Sequence, residues 1–123
     1  MDTAALVERL SALDTCAVSD ALDSMGKSGA VIGLVRRSTN ATIAGRVQTM
    51  KLSAGKPPGD SNSHLGTYSI EAARETDVIV VEQRSGIDAA GWGGLLATAA
   101  KTKGVRGIII EGPGSGCDED TLG

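Results

Sequence analysis

Chemistry is first suggested by Gly93 and Gly94, inside the run GWGG. The pair opens a helical stretch, and the first N–H groups of a helix have no intrahelical partner. They carry partial positive charge and suit a carboxylate or a phosphate. Glycine removes the Cβ that would hold such a ligand away. Close packing of a helix on a sheet selects glycine too. The spacing is neither G-x-G-x-x-G nor G-x-x-x-x-G-K-[ST], so no dinucleotide or Walker fingerprint is present. A substrate-binding set follows: Gly93, Gly94, Leu95 and Leu96, approached by Ser115 from the glycine-rich tail.

Few side chains stand ready to assist. His64 is the sole histidine and a candidate general base, although its place near a helix start also fits a capping role. Arg84 can clamp a second carboxylate, with Asp88 in the same loop; a solvated loop charge fits as well. Asp20, in VSDALD, reads as an acid near the head of a helix. Asp118, Glu119 and Asp120 offer hard oxygen ligands, or a solvated acidic patch. Cys117 has no cationic neighbour in sequence to lower its pKa, so a nucleophilic role lacks support. The catalytic candidates are therefore His64, Arg84 and Asp118.

These residues need a frame. Leu6, Leu10 and Leu13 predict an amphipathic helix over 3–14. Val18, Ala21, Leu22 and Met25 predict a second over 16–25, stopped by Gly26. The apolar, β-branched stretch 30–35 reads as a strand, and 43–52 as another with a bend at Gly45. AGKPPGDSNS (54–63) is a loop by composition. A helix is expected over 63–74, facing inward through Leu65, Ile70 and Ala73. Val78–Val81 is a short apolar run, as in a strand covered on both faces. A helix over 91–104 closes at Gly104 with Lys101 and Lys103 near its negative end, and GIIIE (107–111) forms a second buried strand. This is a βαβ unit at 78–111, in an α/β fold. Ligands in open α/β sheets gather beyond the carboxyl ends of the strands, where the 91–96 and 113–118 segments converge.

Composition bounds the rest. The chain of 123 residues is read as a single domain. Hydrophobic residues at 41% and charged residues at 22% are ordinary for a globular protein. Net charge is −3, the basic residues are scattered, and Trp92 and Tyr68 are the only aromatics. Nucleic-acid binding lacks both its basic stripe and its stacking platform. No apolar run approaches the about 20 residues a bilayer demands. The N-terminus lacks the basic-then-apolar pattern of a signal peptide, so a cytoplasmic location is expected. Cys16 and Cys117 show no C-x-x-C spacing, and a disulfide is not expected. There is no Phe and there are 17 Gly, so the core must be built from small aliphatic side chains. Extra burial from a homo-oligomer interface is expected on that ground.

VSDALDSMG (18–26), IAGRVQTMKL (43–52), DVIVVEQ (77–83) and AAGWGGLLATAAKTKGVRGIIIEG (89–112) resemble the RraA-like family. That family includes 4-hydroxy-4-methyl-2-oxoglutarate aldolases, oxaloacetate decarboxylases, the regulator of RNase E activity, and proteins once labelled dimethylmenaquinone methyltransferases. The resemblance implies a swivelling β/β/α layered fold, here shortened, and assembly as a trimer or hexamer. In the aldolases, backbone amides matching Gly93–Leu96 hold a pyruvyl carboxylate, a divalent metal stabilises the enolate, and an arginine polarises the oxo-acid.

The departures from the family pattern shape the functional expectation. The aldolase motif is an Asp followed at a fixed spacing by Arg-Asp. In ungapped register those positions hold Gly94, Ser115 and Gly116; a two-residue slip brings up Cys117 and Asp118. Neither register supplies the guanidinium, whose loss removes roughly 2–4 kcal/mol of transition-state stabilisation. The resemblance therefore implies a divergent enzyme acting on a small carboxylate or oxo-acid. It is lyase-type, or repurposed as a biosynthetic cyclase or isomerase. The alternative is a non-catalytic regulator or binding protein of the RraA type. No cofactor is expected, and a divalent metal only if Asp118 replaces the family Asp. A small carboxylate and further copies of the chain are the expected partners, with no nucleic acid and no membrane.

Overall fold

The structure, a computed structural model, describes residues 2–37, 40–51, 67–82 and 94–111. Two helices come first, α1 (Thr3–Ser11) and α2 (Thr15–Ser24). Each is opened by an aspartate. The Asp2 carboxylate accepts from the Ala5 N–H at 2.8 Å, and the Asp14 carboxylate from the Ala17 N–H at 2.7 Å. Both are N-cap bonds, which satisfy a donor that the helix itself cannot. The α2 C-terminus is a Schellman turn: the Lys27 N–H donates to the Leu22 carbonyl and the Gly26 N–H to that of Asp23. Gly26 takes the required positive φ, at 67°. The stop expected at that residue is therefore present.

Strands β1 (Val47–Lys51), β2 (Val78–Glu82) and β3 (Gly107–Ile110) form one parallel sheet in the order β1-β2-β3. Val78 lies level with Val47 and with Gly107, and Val81 with Met50 and Ile110. Helix α3 (Thr67–Ala72) joins β1 to β2, and α4 (Gly94–Lys103) joins β2 to β3. The βαβ unit expected at 78–111 is thus formed, in a mixed α/β architecture. Alternation sends Met50, Ile79 and Val81 to one face of the sheet, where they pack with Ile70, Ala73, Leu96 and Ala100. Ile79 and Val81 are fully enclosed there. Val105, Ile108 and Ile110 extend the same cluster.

The amino ends of the strands are tied together by polar contacts. Arg46 donates Nε–H to the Asp77 carboxylate at 3.1 Å and Nη2–H at 2.7 Å. The Arg74 N–H donates to the same carboxylate at 2.8 Å. Main-chain bonds run alongside, from the Val78 N–H to the Arg46 carbonyl and from the Arg106 N–H to the Asp77 carbonyl. Gly45 lies where a side chain would strike the Thr76 carbonyl oxygen. Thr76 itself takes a φ of 70°, uncommon for a β-branched residue, and its N–H donates to the Gly104 carbonyl at 2.9 Å.

Three expectations are corrected. The leucine face expected to bury α1 stays close to half exposed at Leu6, Leu10 and Leu13, and Val7 is the buried residue of that helix. Helix α2 buries no residue fully, and Met25 on its expected inner face is exposed. Residues 30–35 form no strand among the described residues. In each case the apolar residues are there, but the described elements cover them only in part.

Candidate functional site

The three strands are parallel, so their carboxyl ends share one edge of the sheet, at Lys51, Glu82 and Ile110. Helix α4 begins on the chain that leaves β2 at that edge. Its first residue is Gly94, which presents no side chain to a ligand approaching the head of the helix. Leu95 follows, 78% exposed, and then Leu96, which is buried in the core. That sequence of environments fixes the helix. Leu96, Ala97 and Ala100 are its buried residues, and they pin its first turn to the sheet. The carbonyl of Gly94 accepts the Thr98 hydroxyl at 3.0 Å, while the first-turn N–H groups have no intrahelical acceptor. Lys101 and Lys103 in the last turn favour the opposite, negative end.

The expected binding residues therefore divide. Gly94, Leu95 and Leu96 form the first turn of α4, as read from the sequence. Only their main chain suits an anion, since the Leu96 side chain belongs to the core. Gly93 and Ser115 lie outside the described residues, as do all three catalytic candidates, His64, Arg84 and Asp118. Asp20 lies exposed in α2, where its carbonyl accepts the Ser24 hydroxyl. Cys16 is a free, exposed thiol near the start of α2.

A row of charges was missed in the sequence. Lys51 lies level with Glu82 in the ladder, and Glu111 continues β3 beside it, its N–H donating to the Val81 carbonyl at 2.9 Å. The available signal was that each is the charged residue ending an apolar strand. By alternation Lys51 and Glu82 stand on the face opposite Met50 and Val81, and so away from α4. Among the described residues the head of α4 is thus a main-chain site.

The divalent metal that the family resemblance implies meets a poor fit at this position. In the ungapped register that the resemblance implies, Gly94 takes the place of the family's carboxylate ligand, and it offers no side-chain oxygen.

Arg46 and Asp77 sit at the other end of the sheet. Burial pushes the Asp77 carboxyl up, but the Arg46 hydrogen bonds, the Arg74 N–H and the charges of both arginines outweigh it. The net result is a pKa below the ordinary carboxylate value. With its acceptors filled and the ligand edge a full strand length away, the pair holds the fold together rather than performing chemistry.

Comparison with known proteins accords with this architecture. The RraA-like family model, described as Aldolase/RraA, matches residues 15–114. Protein DlpA of Legionella pneumophila is 26% identical over 107 residues, which are 87% of this chain and 17% of DlpA. An uncharacterized protein from Pseudomonas syringae pv. tomato superposes with a TM-score of 0.72 at 23% identity, over 90% of this chain and 48% of that one. Streptomyces coelicolor RraAS2, described as an unusual member of the RNase ES inhibitor RraA protein family, gives a TM-score of 0.71 at 23% identity. It is covered over 56% of its length by 95% of this chain. The chain thus spans about half the length of these solved relatives and a far smaller part of DlpA.

Proposed function

The chain belongs to the RraA-like family, and on that premise we propose that it binds a small carboxylate or oxo-acid at the head of α4. In this reading it is a divergent member of the family, lyase-type or repurposed, and works without the metal and arginine of the aldolases. The observation that carries the reading is Gly94 as the first residue of α4, beyond the carboxyl ends of parallel strands. The main-chain N–H groups orient the carboxylate, and the helix dipole favours its charge. Bond cleavage to an enolate needs an electrophile as well, and Gly94 supplies none. A cytoplasmic homo-oligomer, trimeric or hexameric, belongs to the same reading, as does one RraA-like domain over residues 1–123.

Titration with pyruvate or oxalate, followed by amide NMR shifts, tests the site. The amides of Gly94, Leu95 and Leu96 are expected to move together and to saturate. Leu95→Asp places a negative charge in the first turn at an exposed position, so it should leave the fold intact. It should weaken binding about threefold or more, as expected for a like charge at a helix N-terminus. Unmoved α4 amides would overturn the reading. Coupled pyruvate-release assays on oxaloacetate and on 4-hydroxy-4-methyl-2-oxoglutarate, with Mg²⁺ or Mn²⁺, should show no robust turnover. A second reading, a non-catalytic regulator or binding protein, is favoured by the apolar surface left open on α1, α2 and residues 30–35. It predicts that carboxylates leave α4 unperturbed.

A further inference from the structure

We draw no further inference here: the strongest candidate, the apolar groove between the α1–α2 pair and the outer face of the sheet, carries none, because the chain spans about half the length of its solved relatives and nothing in the structure shows what covers that groove.

Discussion

Asp77 is a charged residue with almost no exposed surface, at a point where two strands and a turn begin. It keeps its charge because the charge is used. Two Arg46 donors and the Arg74 N–H converge on its carboxylate, so protonation would undo three bonds at once. Asp77→Asn keeps the shape but removes the charge and weakens those bonds, which should cost about 1–3 kcal/mol at neutral pH. The sign with pH follows from the lowered pKa. The contribution is full above the ordinary carboxylate value of about 3.9 and disappears as pH falls through the folded-state value. The stability gap between wild type and Asp77→Asn in urea denaturation should therefore be wide at pH 7 and narrow steadily below about pH 4. A gap independent of pH would show that the carboxylate charge contributes nothing. Neither residue announced this role in the sequence. Arg46 and Asp77 are separated by 31 positions and belong to no motif, so only the fold pairs them.

At the scale of elements, the close approach of β1 to the α3–β2 turn is set by Gly45. A Cβ there would meet the Thr76 carbonyl oxygen and the Val78 side chain. Main chain cannot rotate away, so Gly45→Ala should destabilise by about 1–3 kcal/mol, the usual cost of overpacking. Gly29 is the control. Its Cβ would meet only the end of the Leu22 side chain, which can turn aside. Gly29→Ala should cost well under half as much in the same denaturation experiment. The strand bend read at Gly45 in the sequence is thus a packing constraint, with the ladder beginning two residues later at Val47. What was legible here was local. The apolar runs of β2 and β3 and the glycine after α4 carry their own signals, and all fell close to the expected positions. Helices α1 and α2 were legible as helices but not as packed elements. Periodicity names the face that seeks cover; it does not say whether the cover lies within the same chain. The first turn of α4 was legible for the same local reason, since its glycine opens the helix in sequence as it does in space. The partners expected to face it fall outside the described residues and rest on sequence alone.

At the scale of the whole molecule, small side chains and uncovered faces point to one consequence. A core of Val, Ile, Leu, Ala and Met, with no Phe, encloses little volume per residue, and among the described residues few side chains are fully buried. In the proposed homo-oligomer folding and association are linked, and for a trimer the unfolding equilibrium runs from one assembly to three chains. Stability then depends on protein concentration by mass action. A tenfold rise in concentration then adds about 2.8 kcal/mol to the unfolding free energy of the trimer, by 2RT ln 10. Spread over three chains, that raises the melting temperature by about 3–6 °C for each tenfold rise in concentration. Scanning calorimetry at three concentrations should show this trend in the wild type. A melting temperature independent of concentration would remove the assembly from the reading.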